Sequence, residues 1–363
     1  MTAREWFRVH SFTGVVTGLL LFVICWSGTF ATLAYEIDWL VTPEARIDSE
    51  GEHASWGAIE AAVQRAFPEA RIQALHAPLY RYAAAEVDIK RADQPRRRVY
   101  VDPVTAEVQG HYSYFNAWRF FRSLHRRLFL PNPVGIYVVS IFAITLLVSL
   151  IAALSFYKRW WTRFLRFRPG KGRAIWSELH KTGGLWSLWF VLLMAVTGIW
   201  YGLEATRLPD ALLAPERAAP EAQVEPGSQR SLDALMTAAR QARPGLEVRT
   251  IYPPGSFYGD DQLRAVGQGG DILLRDRVNY VAVAADGAVI ATGSGADLTA
   301  YEYWVHMADP LHFGDFAGLI SKGIWFVFGL AMCGLILTGT WLHAARLARQ
   351  SGARARWPGT LAA

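Results

Sequence analysis

The chain has 363 residues, 52% hydrophobic and only 19% charged, which excludes an ordinary soluble protein of this size. Its formal net charge of +6 comes from basic residues clustered beside apolar runs, where membrane topology accounts for them and nucleic-acid binding is not expected. Both cysteines, Cys25 and Cys333, fall inside apolar runs, and neither CxxCH nor CxxC occurs, so covalent haem attachment and thiol zinc or redox motifs are excluded.

A membrane-spanning helix needs about 20 apolar residues. Residues 1–36 hold a short N-terminus and the first such run, from Phe12 to Tyr35. Arg4, Arg8 and the small-x-small Thr32-Leu33-Ala34 resemble a signal peptide, but the run exceeds the roughly 7–15 residues of a signal core. A retained span is expected. Residues 37–131 form a first insertion with a helix over Ser55–Phe67, strands at Glu86–Lys90 and Arg97–Val101, a turn at Asp102-Pro103 and a return over Glu107–His111. Its last part, Tyr112 to Leu130, is amphipathic and aromatic and is expected along a membrane interface.

The second span, Val134 to Tyr157, lies in residues 132–158, and a basic loop fills 159–182. The third span is 183–203. Residues 204–320 repeat the order of the first insertion, with a helix from Ser231 to Ala242 and strands at Glu247–Tyr252, Asp271–Leu274, Val278–Ala284 and Val289–Thr292. Asp286-Gly287 marks a hairpin, and Tyr301 to Phe316 is a second interfacial stretch. The fourth span, Gly323 to His343, lies in 321–344, and a tail completes 345–363. The fold class expected is a membrane α-helical protein with two repeats, four transmembrane helices and two α+β insertions.

Lysine and arginine set orientation. The loop between spans two and three carries Lys158, Arg159, Arg163, Arg166, Arg168, Lys171, Arg173 and Lys181, and the tail carries Arg346, Arg349, Arg354 and Arg356. With Arg4 and Arg8 these place both termini and the loop in the cytoplasm, and both insertions outside it.

The internal repeat is the most informative feature. Aligning His10 with His180 superposes Gly14 on Gly184 and, within WSGTF and VTGIW, Gly28 on Gly198. Aligning Leu124-His125 with Leu311-His312 places spans two and four at similar offsets. Four histidines then form two layers, His10 and His180 at the inner ends of spans and His125 and His312 at the outer ends. His343 and His306 supplement these layers; His53, His76 and His111 are expected at the surface of the insertions. A proton relay would need carboxylates in the span centres, and a zinc site would need thiolate or carboxylate neighbours; neither is present. Paired neutral imidazoles suit haem iron, which takes one ligand on each face. Glycines four residues from His10, His180 and His343 leave room for a flat macrocycle, and two haems would carry electrons across the barrier.

These residues resemble the PepSY-associated transmembrane family, which includes iron-regulated membrane proteins and ferrisiderophore reductases. The resemblance rests on Arg8-Val9-His10 with Gly14 and Gly18, Leu124-His125, Glu178-Leu179-His180 with Gly184, Pro310-Leu311-His312-Phe313-Gly314, and Val99-Tyr100-Val101-Asp102-Pro103. It implies four transmembrane helices, periplasmic PepSY-like insertions, and two b-type haems (protoporphyrin IX iron) held by His10, His180, His125 and His312. Two positions depart from the pattern: Thr105-Ala106 stands where such turns carry Thr-Gly, and His343 offers a further inner ligand in place of His10 or His180. The implied activity is an inner-membrane haem oxidoreductase. It would take electrons from a cytoplasmic or quinone donor and reduce a periplasmic acceptor, foremost a ferric siderophore, with release of Fe(II). The alternatives are an electron conduit for a periplasmic partner protein, and a non-enzymatic sensor or assembly protein.

Overall fold

The computed structural model describes residues 1–164, 166–167, 170–214, 230–256 and 261–355. Two of the basic residues used above for orientation, Arg168 and Arg356, lie outside these. In chain order the helices and strands begin with α1 (Ala3–Val16), α2 (Gly18–Ala31), α3 (Ala34–Val41) and α4 (Trp56–Ala66). Four strands follow, β1 (Arg71–His76), β2 (Ala85–Lys90), β3 (Arg97–Val101) and β4 (Val108–Ser113). Then come α5 (Ala117–Arg127), α6 (Val134–Phe156), α7 (Arg173–Trp186), α8 (Leu188–Ala205), α9 (Leu208–Leu213) and α10 (Leu232–Ala242). The chain continues through β5 (Glu247–Tyr252), β6 (Gln262–Gln268), β7 (Asn279–Ala284), β8 (Val289–Gly293), α11 (Ala300–Phe313) and α12 (Gly318–Ala355).

Two compact units result. The first comprises Met1–Leu33, Phe120–Leu212 and the chain from His312. Three of its helices are long and apolar enough to cross a membrane: Val134–Phe156, Leu188–Ala205 and Gly318–Gln350, with mean hydropathies of 2.6, 1.6 and 1.9. No more than 33% of each apolar window is buried within the protein. Side chains such as Leu19 (78% exposed) and Ile320 (77%) would be untenable in water at this density, so lipid is their solvent.

The first predicted span is a bent pair, α1 and α2 meeting at 68°, and counts as a fourth crossing if taken as one span. The bend has a local cause. Thr13 Oγ1 donates to the Val9 carbonyl at 2.9 Å and Thr17 Oγ1 to the Thr13 carbonyl at 2.7 Å, back-bonds of the kind that bend helices, beside Gly14 and Gly18. The third span breaks at the equivalent place: α7 ends at Trp186 and Ser187 separates it from α8, seven residues beyond His180 as Thr17 is beyond His10.

The second unit comprises Ala34–Arg119 and Leu213–Leu311. The sequence predicts a separate small sheet for each insertion; the structure has one antiparallel sheet of eight strands in the order β4-β3-β2-β1-β5-β6-β7-β8. The halves join where β1 pairs β5, with Leu75 opposite Ile251 and His76 opposite Thr250. An isolated four-stranded meander would leave its first strand as an open edge, and this pairing removes both such edges at once. α4 and α10 cover one face, and Val63, Leu75, Val87, Leu235, Ile251 and Leu263 are among the residues of the shared core. Each helix starts on a serine cap, Ser55 on the Ala58 N–H and Ser231 on the Ala234 N–H. Asp233, from the second insertion, also accepts from Ser55 Oγ at 2.7 Å and the Gly57 N–H at 2.8 Å, stitching the two halves at their helix starts.

Two strands, β6 and β1, lie outside the expected segments. Residues Asp271–Leu274 form a turn in which Asp271 Oδ1 accepts from the Leu273 N–H, and the strand lies earlier, at Gln262–Gln268. β1 escapes an alternating pattern because a bulge between Ile72 and Ala74 buries four consecutive residues.

Candidate functional site

The four paired histidines all belong to the helical unit. His10 sits on α1, His180 on α7, His125 on α5 and His312 at the end of α11. The structure brings them together in two pairs, with ring centroids 6.2 Å apart for His10 and His180, and 5.8 Å for His125 and His312. Thr197, which contacts His312, lies 17 residues beyond His180, a rise of at most about 25 Å along α7 and α8. The pairs therefore draw on different segments of the third span, His180 on α7 and the His312 partner Thr197 on α8.

Hydrogen bonds fix each ring. His125 Nδ1 lies 2.7 Å from the Ile24 carbonyl, which can only accept, so Nδ1 carries the proton. His312 Nδ1 lies 2.7 Å from Thr197 Oγ1, whose own proton goes to the Leu193 carbonyl at 2.7 Å, so His312 donates as well. Both neutral rings then present Nε2 lone pairs, and these two atoms face each other at 3.5 Å. Facing lone pairs repel unless a Lewis acid lies between them. Two metal–imidazole bonds of about 2 Å each span roughly 4 Å, so a modest opening of the pair would accommodate one.

The inner pair follows the same logic. His10 Nδ1 donates to the Ser149 carbonyl at 3.0 Å, with Ser149 Oγ at 2.9 Å. His180 Nδ1 donates to Thr338 Oγ1 at 2.9 Å, whose proton is held by the Gly334 carbonyl at 2.7 Å. Each inner histidine is thus oriented by a hydroxyl-bearing residue on the helix that follows its insertion, Ser149 on α6 and Thr338 on α12. Such partners fix the tautomer and raise the basicity of the distal nitrogen.

His343 is different. Its Nδ1 lies 2.9 Å from Arg346 Nη2, a group that can only donate, so Nδ1 accepts and Nε2 carries the proton. Ser11 Oγ completes this cluster, 3.2 Å from His343 Nδ1 and 3.1 Å from the Arg346 guanidinium. His306 lies in the sheet unit, its Nδ1 buried without a hydrogen-bond partner. Burial, and then the nearby Arg277 and Arg275 guanidinium groups, pull its pKa from 6.5 down to about 4. Of the three histidines expected at the surface, His53 and His111 are exposed, whereas His76 is half-buried, bonded to Thr250 at 3.0 Å and 3.8 Å from Asp88.

Two further observations bear on what the pairs can hold. Among the described residues no group of three or more His, Cys, Asp or Glu side chains is placed to bind a metal ion. A bare cation would need three or four protein ligands; a macrocycle that brings its own equatorial nitrogens needs only two. The donor set fits haem on these grounds. Glycines border two of the rings: a methyl group on Gly28 would lie 2.6 Å from His125 Cε1 and one on Gly339 3.1 Å from His180 Cε1, whereas one on Gly14 would meet nothing within 4 Å, so Gly14 borders no ring.

The supporting residues Ser149, Ile24, Thr197 and Thr338 are absent from the sequence reading. One signal was available. Ser27 and Thr197 directly precede the repeated glycines; Thr197 bonds His312, and Ser27 Oγ donates to the Ile24 carbonyl at 3.0 Å, the same oxygen that accepts from His125.

Apolar helices of spanning length together with histidines paired between them define a multi-pass membrane protein. The family described as the PepSY-associated TM region matches residues 7–346, nearly the whole sequence, and the chain belongs to it. Among its relatives is the uncharacterized protein PA4219 of Pseudomonas aeruginosa, 27% identical over 263 residues, a match covering 64% of this chain and 65% of that protein. The matched part thus spans about two thirds of the relative's length.

Proposed function

We propose that this chain is an inner-membrane oxidoreductase that holds two b-type haems, one between His125 and His312 and one between His10 and His180. The observation that carries the reading is the outer pair, two Nε2 lone pairs facing at 3.5 Å on rings whose Nδ1 protons are committed elsewhere. When bound, haem iron supplies one-electron redox chemistry at each pair. The chain's own contribution is orientation and burial. The Ile24 and Ser149 carbonyls and the Thr197 and Thr338 hydroxyls hold the imidazoles neutral and aimed, and lipid-exposed apolar helices exclude water around them. His343, in the opposite tautomer, and His306, in the sheet unit, serve other roles.

The distribution of lysine and arginine supports cytoplasmic termini with both insertions in the periplasm. Electrons would enter at the inner pair from a cytoplasmic or quinone donor and leave at the outer pair. A ferric siderophore is the acceptor we favour, because Fe(II) is held more weakly than Fe(III) by hard oxygen chelators and is released on reduction.

The test is a dithionite-reduced minus oxidised visible spectrum of detergent-purified protein, with haem quantified per chain. Sharp low-spin b-type bands at two haems per chain are expected. Reoxidation by added ferric chelates would then separate a reductase from a conduit for a partner protein. Absence of haem after expression with ample haem supply would overturn the reading and leave partner binding by the sheet unit.

A further inference from the structure

A cleft lies within the sheet unit, which contains neither histidine pair. It forms where the turn between β2 and β3 meets the C-terminal end of α4, is lined by Phe67, Ile89, Arg91, Gln94, Pro95, Arg97 and His111, and has a volume of about 170 Å³. Its chemistry is one-sided. Two guanidinium groups, an imidazole and a carboxamide face an apolar floor of Phe67, Ile89 and Pro95, and no carboxylate lines it. Arg91 is held over the Phe67 ring at 5.5 Å, and His111 meets the edge of the same ring at 5.3 Å. The turn is shaped by Lys90 Nζ, which donates to the Gln94 carbonyl at 2.7 Å.

Within this arrangement Arg91 Nε is buried and has no hydrogen-bond partner. That nitrogen is closed off from the cleft, so a ligand's acceptor would meet the terminal guanidinium nitrogens of Arg91 and Arg97, which no carboxylate among the lining residues matches. The planar fork of a guanidinium matches a carboxylate through two parallel N–H···O bonds. Size narrows the choice. Pockets for drug-sized ligands run to roughly 300–1,000 Å³, so this one takes a single ring and an anionic head. Inorganic phosphate would satisfy the arginines but leave the aromatic floor uncovered.

We propose that this cleft binds a one-ring aromatic carboxylate, its carboxylate on Arg91 and Arg97 and its ring against Phe67 and Ile89. The proposal goes beyond the electron-transfer reading and does not depend on it. It is tested on the full chain in detergent by fluorine NMR of 4-fluorobenzoate, with unlabelled benzoate as competitor and detergent micelles alone as blank. Saturable binding at one site per chain is expected, weakened at least about tenfold in Arg91→Gln and in Arg97→Gln, since each removes a charge-assisted hydrogen bond. Arg97 starts β3 and does not stack on α4, so Arg97→Gln keeps the test valid if Arg91→Gln unfolds. Neutral benzamide should not compete, and inorganic phosphate should compete only weakly. Equal affinity in wild type and both variants, equal competition by benzamide, or no binding above the micelle blank would overturn the proposal.

Discussion

At Gly28 one missing methyl group leaves the space that His125 occupies. A side chain there would lie 2.6 Å from Cε1 and 2.7 Å from Nδ1 of a ring already tied to the Ile24 carbonyl. Because neither backbone nor ring can yield without breaking that bond, Gly28→Ala is expected to displace His125. On the proposed two-haem reading, haem should fall from two per chain toward one while far-ultraviolet circular dichroism is unchanged; full haem content in this variant would remove His125 from the proposed ligand set. The recurrence of Gly28 as Gly198 is legible in the sequence, but what each glycine faces is not, because that depends on how the helices pack. Gly198 lies against Ala143 and not against a histidine. His306 carries a second prediction at this scale. Burial beside Arg277 and Arg275 holds it neutral, its pKa lowered from 6.5 to about 4, so the unfolded chain binds the proton more readily than the folded one. Its contribution to stability is therefore present above pH 6.5 and is lost as pH falls toward 4. Thermal unfolding should show a smaller loss between pH 7 and pH 4.5 in His306→Gln than in wild type; equal losses would acquit His306.

The turn after β3 illustrates how an element records a departure from the family pattern. Asp102 Oδ1 accepts from the Val104 and Thr105 N–H groups at 2.8 and 3.2 Å, and the Ala106 N–H returns to the Asp102 carbonyl at 2.9 Å. That closure puts Ala106 at φ 57°, the left-handed region that an L side chain enters at a cost of roughly 1–2 kcal/mol and glycine enters freely. Ala106→Gly should therefore stabilise the sheet unit by about 1 kcal/mol, part of the relief being offset by the greater chain entropy of glycine when unfolded. Urea unfolding of the purified protein would measure it, and a destabilised variant would contradict the account. Helices were the most legible elements, since Val134–Phe156 and Leu232–Ala242 follow unbroken apolar or amphipathic periods. Strands were less so. The bulge in β1 hides its period, and small residues such as Ala265 and Gly267 in β6 dilute its apolar signal. The break at Ser187 and the bend at Thr17 were not visible either, because hydropathy continues across both.

Joining the two insertions into one sheet constrains the path of the entire chain. Strands β1 and β5 exchange backbone hydrogen bonds, so both insertions must emerge on the same side of the bilayer. Between them lie α6 and α8, two crossings, which return the chain to the side it left. This agrees with the placement of the basic loop on the opposite face, and neither inference uses the other. The sequence alone offered only the charge argument, because pairing between segments more than 170 residues apart leaves no local pattern. A direct check uses single cysteines in a Cys25→Ala, Cys333→Ala background. Asp93→Cys on the β2–β3 turn and Ala288→Cys on the β7–β8 hairpin occupy exposed positions of the two halves. Both should react with a membrane-impermeant maleimide in intact spheroplasts, and at similar rates, whereas Lys171→Cys in the basic loop should react only after lysis. Labelling of one hairpin without the other would break the shared sheet, since its halves would lie on opposite sides. Labelling of Lys171→Cys alone would instead keep the sheet and invert the orientation.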